Sequence, residues 1–217
     1  MNLAPYIDHT FLKPAGDAGA VRRLCREAKA YGFATVCVNP SEVPLAARLL
    51  KKSSVGVCTV IGFPLGATSV VAKYYEAVDA IANGATELDF VVNQRTLKYD
   101  PDLCENELTV LAQLCHAEKP GLVLKLILEC CNLTKDEIVR GCRLAKKAGF
   151  DFVKTSTGFG TGGATVEDVR LMRKTVGKKM GVKAAGGIRD RATALAMIAA
   201  GASRLGCSCG VALVKGA

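Results

Sequence analysis

The feature that most constrains the fold is a regular alternation between short apolar segments and longer segments with helical periodicity. Runs rich in β-branched and aromatic residues predict eight β-strands, and amphipathic stretches between them predict helices. The predicted strands cover 7–12, 33–39, 55–63, 87–93, 122–129, a segment that begins at 150, 181–185 and 204–208. The predicted helices cover 18–31, 42–52, 68–83, 101–118, 135–147, 165–177, 190–200 and 210–215.

Glycine recurs where a predicted helix ends and the next strand begins, as in Tyr31-Gly32-Phe33 and Ala148-Gly149-Phe150. The eight units average about 27 residues each, which is near the lower end for an eightfold barrel. We therefore expect residues 1–217 to form a single domain, an α/β protein with the (β/α)8 TIM barrel fold. A doubly wound open sheet is the alternative, but it would carry a glycine fingerprint after its first strand, and this sequence does not.

Composition narrows the class of protein. Half of the residues are hydrophobic, and no apolar run reaches the length of a membrane span. The segment Met1–Tyr6 lacks the basic and apolar regions of a signal peptide. The ten cysteines are scattered, and neither Cys130-Cys131 nor the Cys207/Cys209 pair has a partner at zinc-finger spacing. We expect reduced thiols in a cytoplasmic protein with no membrane partner.

The net charge of +9 raises the possibility of nucleic-acid binding. The basic residues, however, are spread over predicted helix surfaces such as 21–26 and 142–147. No recognition helix, arginine-rich tail or RNA-binding strand motif is present in the sequence. We expect no nucleic-acid partner, and the charge fits attraction of a small anionic substrate.

Three lysines lie inside apolar strand segments. Lys125, Lys154 and Lys183 are separated by 29 residues each, which is about one strand–helix unit. Three successive parallel strands would then each carry a lysine at a similar height. One alternative is that each ammonium group is neutralised by a carboxylate and serves stability. Burial of three ammonium groups for stability alone is unfavourable, so a chemical role is the stronger interpretation.

Other polar residues share the face of Lys154 when the two-residue period of a strand is applied throughout. The predicted inward set comprises Asp8, Thr10, Cys37, Asn39, Glu87, Asp89, Asn93, Lys125, Glu129, Lys154, Ser156 and Lys183. Many lie toward the carboxyl ends of their strands, where barrel active sites form. The two histidines, His9 and His116, indicate neither a metal site nor a nucleophile–histidine pair. We predict no metal site.

The remaining chemistry is that of lysine. A neutral lysine amine attacks a carbonyl and forms a Schiff base, which withdraws electrons from the neighbouring carbon. Free lysine is almost fully protonated at neutral pH, and a second ammonium about 4 Å away favours the neutral amine. Lys154 and Lys183 on adjacent strands could form such a pair. Asp89 could then transfer protons, directly or through a water.

At these residues the sequence resembles the deoxyribose-phosphate aldolase family of class I aldolases, and the resemblance covers nearly the whole chain. Its most specific motifs are Lys154-Thr155-Ser156-Thr157-Gly158 and Lys183-Ala184-Ala185-Gly186-Gly187. Further matching segments are Ile7-Asp8-His9-Thr10, Val36-Cys37-Val38-Asn39-Pro40, Gly62-Phe63-Pro64-Leu65-Gly66, Glu87-Leu88-Asp89 and Ile188-Arg189.

The resemblance implies a role for each matching residue. Lys154 would form the Schiff base, Lys183 would favour its neutral form, and Asp89 would relay protons. The reaction would be reversible cleavage of 2-deoxy-D-ribose 5-phosphate to D-glyceraldehyde 3-phosphate and acetaldehyde, in deoxyribonucleotide catabolism. The resemblance implies no metal or organic cofactor, and it suggests a homodimer.

The substrate phosphate needs an anion site at the carboxyl ends of the strands, and barrels often build it from the loops after strands seven and eight. We expect the substrate to contact residues at the ends of several strands. These are Asp8, Thr10, Cys37, Asn93, Gly158, Gly186, Gly187, Gly206 and Ser208.

The sequence departs from the family pattern at three places. It ends at Val214-Lys215-Gly216-Ala217 without the C-terminal tyrosine of some members, Phe159 replaces a lysine of some relatives, and Cys209 replaces a common second serine. Two other functions remain open from the residues: a Schiff-base lyase acting on another sugar, and a basic barrel that binds nucleotides without catalysis.

Overall fold

The computed structural model describes residues 1–17 and 19–216, and its eight strands form one closed parallel barrel in chain order. The strands are β1 (Ile7–Phe11), β2 (Thr35–Val38), β3 (Gly56–Ile61), β4 (Glu87–Val91), β5 (Val123–Ile127), β6 (Phe152–Lys154), β7 (Gly181–Ala185) and β8 (Arg204–Cys207). This confirms the predicted (β/α)8 TIM barrel.

Helices follow the strands on the outside of the barrel. They are α1 (Ala20–Tyr31), α2 (Val43–Leu50), α3 (Val70–Ala82), α4 (Gln94–Tyr99), α5 (Pro101–Glu118), α6 (Lys135–Ala148), α7 (Val166–Val176), α8 (Arg191–Ala199) and α9 (Gly210–Lys215). The helix predicted over 18–31 begins at Ala20, and Ala18 lies outside the described residues. Among the residues described, no helix has the length and apolar character needed to cross a membrane.

Local sequence signals explain most of the helix ends. The side chain of Thr134 accepts a hydrogen bond from the amide of Glu137, and Glu137 accepts one in return, so α6 begins with a capping box. Gly149 ends α6 in the left-handed conformation (φ 91°), which glycine adopts without a steric cost. The same combination of amphipathic helix and terminal glycine made these helices predictable.

Helix α4 was not predicted. Its first turn is capped by Asn93, whose Oδ1 accepts hydrogen bonds from the amides of Arg95 (3.1 Å) and Thr96 (3.4 Å). Only six residues long, α4 has too few turns to show an amphipathic period in the sequence. Most predicted strands also extended too far, because apolar residues continue into the loops beyond the ladder, as around β2.

The register of the strands sets the positions of the lysines. Lys154 pairs with Lys183 across β6 and β7, so these two residues lie at the same height. Lys125 pairs with Asp89 on one side and with Phe152 on the other, so it lies one inward layer below Lys154. The expectation of three lysines at a similar height was therefore correct for two of them. Asp89, one carboxylate partner of Lys125, lies at the same level as that lysine.

Two apolar regions surround this charged interior. The main core lies between the strands and the helices and includes outward strand residues such as Val36, Leu88 and Val153. A smaller cluster of Leu12, Cys37, Cys58 and Val60 lies around β2 and β3. Barrel interiors are usually filled by branched apolar side chains, so the charged layer here points to a role beyond packing.

Candidate active site

Asp89 occupies the centre of the barrel interior. Its Oδ2 accepts hydrogen bonds from the Nζ atoms of Lys154 (2.8 Å) and Lys183 (2.7 Å), and its Oδ1 accepts one from Lys125 (2.8 Å). Asp89, Lys125 and Lys183 are fully buried, and Lys154 is 2% exposed. The three lysines predicted from their spacing thus converge on a single carboxylate.

Two more carboxylates and one guanidinium group extend this cluster. Asp8 lies 2.5 Å from Nζ of Lys183 and accepts a hydrogen bond from Nη1 of Arg204 (2.6 Å). Glu87 lies 2.6 Å from Nζ of Lys125 and 3.2 Å from Nη1 of Arg204. Opposite charges therefore alternate through the core. Arg204 was not among the predicted inward residues, although the period that places Gly206 inside also places Arg204 there.

The cluster carries one more positive group than it has carboxylates. Within the described residues it contains four cationic side chains, Lys125, Lys154, Lys183 and Arg204, against the three carboxylates of Asp8, Glu87 and Asp89. Lys125, Lys183 and Arg204 each contact at least two carboxylates, whereas Lys154 contacts Asp89 alone. Lys154 is therefore the cation of this cluster with the fewest carboxylate contacts, and the other three cations match the three carboxylates in number.

The protonation of the remaining groups follows from their partners. Burial alone would raise the pKa of Asp89, but Lys125, Lys154 and Lys183 outweigh it and hold that pKa well below its usual range. Burial would likewise lower the pKa of Lys183, but Asp8 and Asp89 raise it above the ordinary lysine value. At neutral pH Asp89 is therefore an anion and Lys183 a cation.

A cavity of about 270 Å³ opens at the carboxyl ends of the strands, and Lys154 is part of its wall. Six of the predicted substrate-binding residues also line it: Thr10, Gly158, Gly186, Gly187, Gly206 and Ser208. Two basic residues, Lys13 and Arg189, lie on the same wall. Arg189 belongs to a segment that matches the family, but sequence reasoning selected neither residue as a substrate contact. Lys13 lies in the loop after β1 and Arg189 in the loop after β7, and this position was the available signal.

Three of the predicted binding residues are not on this wall. Asp8 lies deeper, in the charge cluster, and Asn93 is occupied as the cap of α4. Cys37 is fully buried on β2, beside Cys58 of β3, with which it pairs in register. A hydrogen bond from Cys58 lowers the pKa of the Cys37 thiol, although burial opposes this shift. A direct substrate contact by any of the three stays a prediction.

Two groups of side chains have atoms close enough together to hold a metal ion. Sγ of Cys37, Sγ of Cys58 and a carboxylate oxygen of Asp89 lie within 4.8 Å of one another, as do the ligand atoms of Asp8, Cys58 and Glu87. Sequence spacing did not indicate these groups because their members come from different strands. Each carboxylate already contacts a lysine or arginine, and a cation there would have to displace those contacts.

A larger cavity, of about 600 Å³, lies at the amino ends of β5 to β8. Its lining includes Phe152, Arg173 and Lys178, but none of the three clustered lysines. The guanidinium group of Arg173 donates to the backbone carbonyl oxygens of Gly177, Met180 and Gly201, and so its role is structural. Of these two cavities, the smaller one is the one that a clustered lysine, Lys154, lines.

The fold and the site define a lysine-dependent enzyme built on a (β/α)8 barrel. Residues 3–216 match the model of the DeoC/LacD family of aldolases, and the chain belongs to that family.

Relatives support this assignment along the whole chain. Deoxyribose-phosphate aldolases from Thermoanaerobacter sp. (strain X514) and Clostridium perfringens (strain 13 / Type A) are 54% and 55% identical to it. The alignments cover 99% of this chain and 96% and 95% of the two relatives. The tetrameric deoxyribose phosphate aldolase of Aeropyrum pernix superposes with a TM-score of 0.91 at 36% identity, over 98% of this chain and 89% of that one.

Lys125 supplies a test of the charge cluster itself. The substitution Lys125→Met removes the cation that Glu87 and Asp89 share and leaves both carboxylates buried with fewer partners. We expect it to lower the free energy of unfolding by about 3–5 kcal/mol, as measured by urea denaturation.

The matched control is Lys147→Met, which removes a surface lysine that contacts Glu105 at 2.5 Å. Lys147 is 68% exposed, so its loss should change the stability by less than about 1 kcal/mol. Equal effects of the two substitutions would show that the buried cluster does not depend on Lys125.

Proposed function

We propose that the protein is a Schiff-base (class I) aldolase that reversibly cleaves 2-deoxy-D-ribose 5-phosphate to D-glyceraldehyde 3-phosphate and acetaldehyde. The observation that carries the proposal is the position of Lys154. It lines the cavity, its ammonium group has one carboxylate partner, and that partner also binds Lys183. The similarity to deoxyribose-phosphate aldolases supports the choice of substrate.

The reaction begins when the neutral amine of Lys154 attacks the aldehyde carbon C1 of the open-chain sugar. Loss of water gives a protonated imine, which withdraws electrons from C2. The C3 hydroxyl then loses its proton, the C2–C3 bond breaks, and C3 leaves as the aldehyde of glyceraldehyde 3-phosphate. The electrons of the broken bond form an enamine at C2. Protonation of C2 and hydrolysis of the resulting imine release acetaldehyde and regenerate Lys154.

Asp89 is suited to move the protons of this sequence. Its Oδ2 lies 2.8 Å from the nitrogen that becomes the imine, and the neighbouring lysines keep the carboxyl group in its ionised form, which accepts hydrogen bonds from that nitrogen. Lys125 holds the other oxygen, Oδ1, at 2.8 Å and so fixes the plane of the carboxylate. Lys183 supplies a permanent positive charge on the same oxygen that contacts Lys154.

The far end of the cavity suits the phosphate group. Gly186 and Gly187 both have positive φ values (85° and 80°), so a side chain at either position would be strained. A Cβ atom on Gly186 would also lie 2.9 Å from Cα of Gly163. Such glycines let backbone N–H groups approach an anion, and Ser208 adds a hydroxyl donor. Lys13 and Arg189 on the same wall contribute positive charge.

The cellular role and the assembly of the protein are proposed from its family. We infer a cytoplasmic enzyme of deoxyribonucleotide catabolism that works as a homodimer, without a metal or organic cofactor and without a nucleic-acid or membrane partner. The imine mechanism above uses only side chains of this chain. The A. pernix relative is described as tetrameric, so association of copies is a property found among similar barrels.

The substitution Lys154→Arg tests the proposal directly. Arginine keeps the positive charge and approximate size but does not form an imine under these conditions, so cleavage of deoxyribose 5-phosphate should fall by on the order of 10³-fold or more. A coupled assay for glyceraldehyde 3-phosphate measures the loss, and circular dichroism checks that the variant is folded.

The wild-type protein should be assayed beside it with ribose 5-phosphate and with unphosphorylated deoxyribose. Fastest cleavage of deoxyribose 5-phosphate supports the proposed substrate. Faster cleavage of another sugar would assign the same lysine chemistry to a different lyase, and no cleavage or imine formation at all would leave a non-catalytic barrel.

Lys183→Leu tests the electrostatic role of the second lysine. Removal of its charge makes proton loss from the nucleophile harder, so the acid limb of the kcat/KM profile should move to higher pH. Activity at neutral pH should fall at least about tenfold as a result. An acid limb that stays in place, with near-normal activity, would show that Lys183 serves only the structure.

Ser208→Asp tests the phosphate end. A carboxylate beside the substrate phosphate is repulsive, so KM for deoxyribose 5-phosphate should rise about tenfold or more. Unphosphorylated deoxyribose does not use this end of the cavity, and its kcat/KM should change little. Equal losses on both substrates would place the phosphate elsewhere.

A further inference from the structure

Glu129 has an unusual backbone conformation. It is the one residue other than glycine with a positive φ (57°) in the segments 1–17 and 19–216. The residues on both sides continue the ladder with β6, because the amide of Leu128 donates to the carbonyl of Lys154 and that of Cys130 to Thr155. Glu129 is thus an extra residue between two ladder bonds, like the residue of a β-bulge. Glycine would adopt this backbone conformation without strain. The presence of a glutamate therefore indicates that its side chain has a specific role.

The side chain of Glu129 holds the loop after β6. Its carboxylate accepts hydrogen bonds from the backbone amide of Thr157 (3.2 Å) and from the hydroxyl of the same residue. The hydroxyl oxygen of Thr157 in turn accepts one from the amide of Phe159 (3.0 Å). Glu129 is 5% exposed, and a Cβ atom on Gly160 would lie 3.0 Å from its Cδ. The loop over 157–160 is therefore packed closely around this carboxylate.

Glu129 was predicted to face the barrel interior with the lysines. The hydrogen bonds that the structure describes for its carboxylate involve the β6 loop and Cys131, not the clustered lysines. Among the described residues, it does not line the cavity above Lys154. Thr157, Gly158 and Phe159, which it holds directly or through Thr157, do line that cavity.

The loop is anchored independently at its two ends. Thr155 exchanges hydrogen bonds with Ala185 through its hydroxyl (both 3.1 Å), and the amide of Ala164 donates to the carbonyl of Ala185 (3.1 Å). Between these anchors the wall of the cavity depends on the contacts at Thr157. Loss of the Glu129 carboxylate would free Thr157 to Phe159 without moving Lys154, which lies on the strand before the first anchor.

We propose that Glu129 is a positioning residue that fixes the 157–159 wall of the substrate cavity and thereby sets the affinity for the phosphorylated end of the sugar. This rests on the proposed function, in which the imine forms at Lys154 and the phosphate lies near Gly186, Gly187 and Ser208, in the cavity that Thr157, Gly158 and Phe159 also line. The chemistry at C1 and C2 does not use the wall, so the residue should control KM for the full substrate and not the reaction of acetaldehyde.

The test compares Glu129→Gly with Glu129→Gln. Glycine relieves the backbone strain but removes the carboxylate, whereas glutamine keeps the shape and one acceptor oxygen. Glu129→Gly should raise KM for deoxyribose 5-phosphate about tenfold or more, and Glu129→Gln should restore most of the affinity. Deuterium exchange into the methyl group of acetaldehyde, which requires only Lys154 and the proton relay, should keep the wild-type rate in both variants.

Thermal unfolding separates positioning from stability. A merely structural Glu129 would lower the melting temperature and both activities together, and that result would contradict the proposal. An unchanged KM in Glu129→Gly would contradict it as well. The combination of Glu129→Gly with Thr157→Val should raise KM by less than the product of the two single effects, because both substitutions remove the same carboxylate–hydroxyl hydrogen bond.

Failure of the proposed function would be visible in the wild-type protein, which would then not cleave deoxyribose 5-phosphate. Amide hydrogen exchange tests the role of Glu129 independently of the substrate. Glu129→Gly should lose protection at Thr157 and Phe159 and keep it at Thr155 and in β7. Retained protection at Thr157 and Phe159 would overturn the proposal whether or not the enzyme cleaves that sugar.

Discussion

The excess of one positive charge in a buried cluster is the constraint on which the rest of the site depends. Asp89 binds three lysines at once, and Asp8 and Glu87 bind two of these lysines and Arg204. Buried ammonium groups are tolerated only with such partners. The cations differ in how many carboxylates they contact. Lys154 contacts the fewest, and it also lies on the cavity wall. The same arrangement that makes the cluster stable therefore selects which amine can act as a nucleophile.

The barrel makes this arrangement possible by simple repetition. One strand–helix unit separates each clustered lysine from the next, and parallel register then places Lys154 beside Lys183 and Lys125 beside Asp89. Closure of the sheet brings β1 and β8 to the same interior, so Asp8 and Arg204 complete the cluster. At the carboxyl ends of the strands, the loops after β6, β7 and β8 line the cavity above this cluster. The barrel topology therefore produces both the charge cluster and the substrate cavity.

The barrel could be predicted from the sequence because strand and helix periodicity are local signals, and the same periodicity placed Lys125, Lys154, Lys183 and Asp89 inside it. The catalytic roles of Lys154, Lys183 and Asp89 stay a prediction. Contacts between residues that are distant in the sequence were harder to predict. Arg204 was missed because its partners Asp8 and Glu87 are far away in the chain, and the short helix that Asn93 caps was not predicted. Glu129 faces the β6 loop because its backbone turns into a left-handed conformation that no residue pattern indicated. Asn93 and Glu129 lie just beyond the ends of β4 and β5, and periodicity says little about strand ends.

The most direct measurement is reductive trapping of the protein with acetaldehyde and borohydride near neutral pH, followed by peptide mapping by mass spectrometry. The account predicts a single ethyl adduct, on Lys154, because Lys125 and Lys183 are held as cations by two or more carboxylates each. An adduct on Lys125 or Lys183 while Lys154 stays unmodified would contradict the claim that the unequal sharing of carboxylates selects the nucleophile.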